Sequence, residues 1–224
     1  MLVRSSLVAI GVVLLASSAT LAQAPSAAFL DSLKRVEQME KGPNDRQPAA
    51  KVMDAVGVKP GMVVGEVGAG RGRYTMHLAR RVGTTGKIYA NDIDQAGLAF
   101  LRDRCVIEKL ANVETVLGSV EETRLPKGSL DMAFMVWVYH MLDSPVPVLK
   151  SLGPSLKPGA TVVILDPVPE EVEEEFKGAP ATAKFTVPTR EHVERDARLA
   201  GFELVTSMIG FLEKDNIFIL RKKG

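Results

Sequence analysis

Apolar positions along this chain change their period several times. Between 26 and 41, Phe29, Leu30, Leu33 and Val36 share one side of a helix whose stop signal is Lys41-Gly42-Pro43. A second helix is expected from Gln47 to Val56, with Pro48 tolerated in its first turn. Lys59-Pro60-Gly61 then turns the chain into an apolar strand at 62–67. The pattern continues as helix 72–82, strand 87–91 and helix 95–110, the last opened by Asp94 as N-cap. Strands at 113–117 and 130–137, a helix at 145–156 and a strand at 161–165 follow. Strands that alternate with helices pair in parallel through crossover helices, which gives a doubly wound α/β sheet. The tail departs from that rule. Helix 189–200 ends at Gly201, and 202–209 and 216–220 are two strands joined by a short loop, hence antiparallel. The expected fold is a mostly parallel seven-stranded sheet with helices on both faces and a C-terminal antiparallel hairpin.

The first two dozen residues follow a different pattern. Arg4 is the only charge before an apolar run from Leu7 to Leu15, and small residues lead to Ala22-Gln23-Ala24-Pro25. A basic start, a short apolar core and a small-x-small exit are the anatomy of a secretory signal peptide. Residues 1–24 are read as that peptide, cut after Ala24 or after Ala22. An uncleaved anchor is the alternative, but the apolar core falls short of the ~20 residues that span a bilayer. The exported remainder, 25–224, reads as one domain: N-terminal helices over 25–58 and an α/β core over 59–224. No internal repeat interrupts it.

Composition narrows the options further. The 224 residues are 46% hydrophobic and 25% charged, with 28 basic against 27 acidic side chains. That balance fits a globular domain and gives no electrostatic case for nucleic acid. The single Cys105 sits among Leu101, Val106 and Leu110, where it reads as a small buried hydrophobe.

The chemistry concentrates where the first core strand ends, in Val63-Val64-Gly65-Glu66-Val67-Gly68-Ala69-Gly70-Arg71-Gly72-Arg73-Tyr74-Thr75. Glycines let the backbone approach a ligand without a Cβ in the way, and the following helix aims its free N–H groups at the same place. A dinucleotide fingerprint requires Gly-x-Gly-x-x-Gly. Here the third glycine falls at Gly72 and the required place holds Arg73. The pattern Glu66-x-Gly68-x-Gly70-x-Gly72 instead resembles the first motif of class I S-adenosylmethionine-dependent methyltransferases. Asp45-Arg46-Gln47-Pro48, Lys59-Pro60-Gly61, Val138-Tyr139-His140 and Leu156-Lys157-Pro158-Gly159 resemble a subgroup of small exported or orphan members.

The resemblance implies S-adenosylmethionine as cofactor and a methyl acceptor, here read as a small molecule. It implies that Gly68, Ala69, Gly70 and Gly72 admit the methionine part while Glu66 binds its ammonium. It implies that Asp92, followed by Ile93, holds the ribose diol, and that Ser119 and the Val120 backbone face the adenine. Family members often carry aspartate where this chain has Ser119, a weaker acceptor. The resemblance also places Val136, near the end of the fourth strand, beside the cofactor, and implies that His140 or Tyr139 would deprotonate a hydroxyl acceptor. For His140 the competing reading is a loop-bonding side chain. Trp137 either lines the pocket or fills the core. Arg46 and Gln47 either face the pocket or merely open a helix.

The acidic run 170–175 reads as a solvated helical face; the resemblance implies a region that varies with the acceptor and often acts as a lid. No spacing fits a metal site. Two other functions remain open. An exported, non-catalytic binding or interaction protein on the same fold is favoured by Ser119 and opposed by the glycines and Asp92. A nicotinamide-dependent oxidoreductase is opposed by Arg73 and the closing hairpin.

Overall fold

The computed structural model describes residues 25–180 and 183–223, so the signal-peptide reading lies outside the described residues. Seven strands form one sheet in the order β3-β2-β1-β4-β5-β7-β6. They are β1 (Val63–Val67), β2 (Lys87–Asp92), β3 (Val113–Leu117), β4 (Leu130–Val136), β5 (Leu156–Pro167), β6 (Phe202–Met208) and β7 (Asp215–Lys222). The first five pair in parallel. β7 runs antiparallel between β5 and β6, as the short tail loop requires.

Helices cover both faces. On one side α2 (Ala49–Val56), α3 (Arg73–Val82) and α4 (Gln95–Ile107) bury Val52, Leu78 and Leu101. On the other, α5 (Pro145–Leu152) and α7 (Arg190–Leu199) bury Leu149 and Val193 against β4, β5 and β7. Each such side chain contributes roughly 1.5–3 kcal/mol when fully buried. Cys105 belongs to the first of these cores, and burial pushes its thiol up to about 11. Among the described residues no helix is long and apolar enough to cross a membrane.

Several boundaries differ from the sequence expectation, among them the end of α5 at Leu152 rather than 156, and three have a clear local reason. Helix α1 (Ala27–Arg46) runs through Pro43 instead of stopping before it. Pro43 lacks the N–H that would bond the Met39 carbonyl, but Met39 is exposed to water. The extra turn is held by Arg46, which donates to Asp215, Glu171 and the Lys214 carbonyl. Helix α4 stops at Ile107 because Lys109 adopts φ 55° and Leu110 N–H bonds back to the Cys105 carbonyl. Strand β5 begins at Leu156, since Lys157-Pro158-Gly159 is absorbed as a register shift between the Leu130 and Met132 pairings.

Candidate active site

Strand β1 delivers Glu66 to the carboxyl edge of the sheet, and the chain turns there through Gly68, Ala69 and Gly70. Gly68 (φ 75°) donates its N–H to the Asn91 carbonyl at 2.8 Å. A Cβ on Gly68 would lie 2.2 Å from Val138 Cγ2, so only glycine fits. Gly70 (φ 53°) would instead send a Cβ into open space, where its backbone can meet a ligand closely. Gly72, expected in the binding loop, also has a structural reason to be glycine. It caps α3, and a Cβ there would strike Leu101 Cδ1 at 2.4 Å.

Glu40, Glu66, Gly68, Ala69, Gly70, Arg71, Arg73, Tyr74, Val136 and Trp137 line a cavity of about 210 Å³. Asp92 stands next to the loop at the end of β2 and accepts from the Gly70 N–H at 2.6 Å and the Asp94 N–H at 2.8 Å. Ile93 and Val120 are exposed at the neighbouring ends of β2 and β3. Ser119 closes a turn there, its N–H on the Glu122 carbonyl at 2.8 Å. These three and Asp92 flank the cavity rather than line it, as expected of groups that would meet the ribose and adenine of a longer ligand.

The cavity is lined by charge. Glu66 is fully buried, which pushes its carboxyl up to about 7 despite the Thr75 hydroxyl bonded to it at 2.5 Å and the nearby Arg73. Burial also lowers Arg73 from its ordinary value, although a guanidinium keeps its proton. Its hydrogen-bond partners are neutral: Gln47 Oε1 at 2.7 Å and Asn44 Oδ1 at 3.4 Å. The ring of Trp137 lies 4.9 Å below its charge. The Tyr74 hydroxyl is buried without a partner. A cavity that holds a buried carboxyl, a guanidinium without a bonded carboxylate and an orphaned hydroxyl fits a zwitterionic amino-acid group. The residues present therefore fit the methionine end of S-adenosylmethionine.

Trp137 is also the wall of a second cavity of about 620 Å³, lined by Arg46, His140, Met141, Pro167 and three glutamates of α6 (Pro169–Glu175). Its φ of 57° is unusual for a bulky residue and marks a conformation imposed by its surroundings. The indole N–H donates to Asp215 at 2.5 Å, and the backbone N–H donates to the Leu165 carbonyl. Asp215 is fully buried and also accepts from Arg46 at 2.6 Å and Gln47 at 3.0 Å. One carboxylate thus ties α1, its exit turn and Trp137 to β7. Arg46 faces the second cavity, whereas Gln47 is buried between Asp215 and Arg73.

His140 and Tyr139 separate at the end of β4. His140 turns one ring nitrogen, Nδ1, onto the fully buried Asp166 of β5 and the other, Nε2, toward Glu175 at 3.9 Å. Asp166 also accepts the backbone N–H groups of Tyr139 and His140, each at 3.1 Å. Burial raises its carboxyl while those donors pull it down. Tyr139 corrects the sequence reading. Its hydroxyl points away from the cavity, fully buried, and donates to Asp196 at 2.7 Å. Burial and that bond push it far above its ordinary value, which removes it from the candidate bases. Among the described residues no group of three His, Cys, Asp or Glu side chains forms a metal site.

This sheet order, with a glycine loop at β1, an acid at β2 and a second cavity beyond β4, defines a class I methyltransferase fold. Residues 65–164 match the methyltransferase domain family. A ubiquinone/menaquinone biosynthesis C-methyltransferase, UbiE of Idiomarina loihiensis, is 32% identical over 118 residues, 51% of this chain and 46% of that protein. The chain spans less than half the length of such curated relatives. A crystal structure of an S-adenosylmethionine-dependent methyltransferase from Aquifex aeolicus superposes with TM-score 0.71 at 26% identity, covering 84% of this chain and 96% of that one. Geranyl diphosphate C-methyltransferase from Streptomyces coelicolor shares the fold at TM-score 0.62 and 14% identity, over 87% of this chain and 82% of its own. The chain thus has the class I S-adenosylmethionine-dependent methyltransferase fold and carries a stretch that matches the methyltransferase domain family. Arg46, Asp166, Glu175 and Asp215 fall outside the matched stretch.

Proposed function

We propose that the protein transfers the methyl group of S-adenosylmethionine to a small-molecule acceptor bound in the cavity beyond Trp137. The observation that carries this reading is the pair of cavities sharing one wall, one suited to a zwitterion and the other open beside a histidine. The cofactor supplies a methyl already activated by a sulfonium, so the protein's part is alignment, worth ~7–11 kcal/mol when donor and acceptor are held in line. Glu66 binds the ammonium, Arg73 faces the carboxylate, Gly70 lets the backbone come close and Asp92 accepts the ribose hydroxyls.

Calorimetric titration of the full chain with S-adenosylhomocysteine tests this. Micromolar binding is expected, weakened about tenfold in Asp92→Asn, the difference between a charged and a neutral acceptor. Absence of binding by a folded sample would overturn the reading. The same titration follows Glu66. Its carboxyl is raised from 4.5 to about 7 in the free protein, so its contribution to stability is present below 4.5 and is lost as pH rises through 7. An ammonium favours the carboxylate, so binding releases a proton below pH 7 and tightens as pH rises through that value. Buffers of different ionisation heat report the proton directly.

We further propose that the protein is exported, on the pattern of residues 1–24 alone. Expression of the full chain in a Gram-negative host is expected to give a periplasmic product beginning at Pro25 or Gln23. A cytoplasmic product retaining Met1–Ala24 by mass would exclude export.

A further inference from the structure

The second cavity has features that bear on its occupant's chemistry. His140 is 4% exposed, and its ring is held from behind by Asp166. With Nδ1–H donated to that carboxylate, the lone pair sits on Nε2 and faces the cavity. The nearest partner of Nε2 is Glu175 at 3.9 Å, too far for a hydrogen bond. The loop after α6 secures this arrangement, since Thr186 N–H donates to the His140 carbonyl at 2.8 Å. The cavity's charge is lopsided. Arg46 is matched by Asp215 and Glu171, Glu171 is shared with Lys214, and Glu174 pairs with Lys177. Glu175 makes no other ion pair among the described residues. Trp137, Met141 and Pro167 supply its apolar lining, with the indole as an aromatic surface.

Resting on the methyl-transfer reading, we propose that the acceptor is a neutral or cationic aromatic hydroxyl compound deprotonated by His140, with Asp166 as positioning residue. A neutral amine already offers its lone pair and needs no base before attack, whereas a hydroxyl becomes a strong nucleophile only as its proton leaves. A phenolic or enolic proton is the one an imidazole removes most effectively. The hydroxyl proton passes to Nε2, an oxygen lone pair forms the new bond to the methyl carbon, and the carbon–sulfur pair leaves on sulfur. An anionic acceptor would meet Glu171, Glu174 and Glu175 without a spare cation.

Three probes of similar shape separate these points: p-cresol, tyramine and 4-hydroxyphenylacetate. Each is titrated into the full chain saturated with S-adenosylhomocysteine, then offered with labelled S-adenosylmethionine at several pH values. The expected result is binding and transfer for p-cresol and tyramine, at least tenfold above 4-hydroxyphenylacetate, a gap that narrows in Glu175→Gln. His140→Gln is expected to lower transfer about 100-fold or more, to a residual rate that can still be followed, and Asp166→Asn to lower it about tenfold, while both retain S-adenosylhomocysteine affinity within about twofold. The wild-type rate should rise with pH through a single ionisation missing from His140→Gln. Asp166, Glu171, Glu174, Glu175 and Arg46 also face the ring or its cavity, so a step that survives in that variant belongs to one of them and overturns the base assignment. S-adenosylhomocysteine binding with no transfer to any phenol overturns the acceptor class. Preference for 4-hydroxyphenylacetate overturns the charge argument. Failure to bind S-adenosylhomocysteine at all would instead refute the methyl-transfer reading beneath it.

Discussion

Arg73→Gln is expected to weaken S-adenosylhomocysteine binding about 100-fold while leaving 5′-methylthioadenosine within about twofold, because a charge-assisted hydrogen bond is worth ~1.5–3 kcal/mol and only the first ligand carries a carboxylate. The argument turns on what surrounds the guanidinium. It is withdrawn from solvent, yet its bonded partners are the amide oxygens of Gln47 and Asn44. Glu66 is close enough to act through space, and burial raises its carboxyl to about 7, so near neutral pH it is only partly ionised. The cavity therefore holds a full positive charge with incomplete compensation. A carboxylate arriving beside it gains more than it would at a surface, because the local dielectric is low. Glutamine keeps a donor and much of the volume, so the two folds should match by circular dichroism. Equal losses for both ligands would mean that Arg73 supports the loop and does not read the carboxylate. Arg73→Lys should recover part of the affinity, since an ammonium supplies charge without the planar fork.

Arg73 also shows how far the sequence could be read. In the chain it served only to break the dinucleotide spacing; its position in the cavity depends on α1 and the exit turn folding back to supply Asn44 and Gln47. The sheet, by contrast, was legible in its number of strands, their sequence and the closing hairpin, because hydrophobic period and turn chemistry are local signals, although β5 extends well beyond the expected 161–165. Glu66, Gly68, Gly70, Asp92 and His140 all sit at strand ends, where ligands of such sheets bind, and could be found by inspecting those ends in order. Asp166 ends β5 in the same way and was within reach of that inspection, yet its partner could not be known without the register between β4 and β5. Tyr139 and His140 are neighbours in sequence, and only the short helical turn at 139–141 decides that one faces Asp196 and the other the cavity. Asp215, 169 residues from Arg46 in the chain, carried no local signal at all. Pro43 was misleading for a related reason. A stop signal in isolation gave way to the tertiary anchors of Arg46.

The largest expected loss of stability follows Glu40→Ala. Arg104 on α4 reaches Glu40 on α1 with two nitrogens, each 2.8 Å from a separate carboxylate oxygen. The side chains are 6% and 11% exposed, so this is a pair inside the protein. Arg104 is already stretched in its hydrogen bonding: Nη1 also reaches the Arg71 carbonyl at 3.3 Å, and Nε is buried without a partner. Removing the carboxylate leaves a guanidinium that can neither shed its proton nor reach water, and breaking such a pair costs about 3–5 kcal/mol. For a domain of this size that corresponds to a fall in melting temperature of about 10 °C. The pair itself is a different matter, because its attraction is offset by desolvation of both charges. Glu40→Leu combined with Arg104→Met should therefore recover most of the loss. The double variant separates two roles that the single one confuses. Glu40 lines the cofactor cavity, and Arg104 holds α1 against the glycine loop through the Arg71 carbonyl. If the double variant is stable but binds S-adenosylhomocysteine poorly, the ion pair serves to shape the site. A single variant that melts within about 1 °C of the parent, against that expected loss, would show that water reaches Arg104 and that the two helices are not locked by charge.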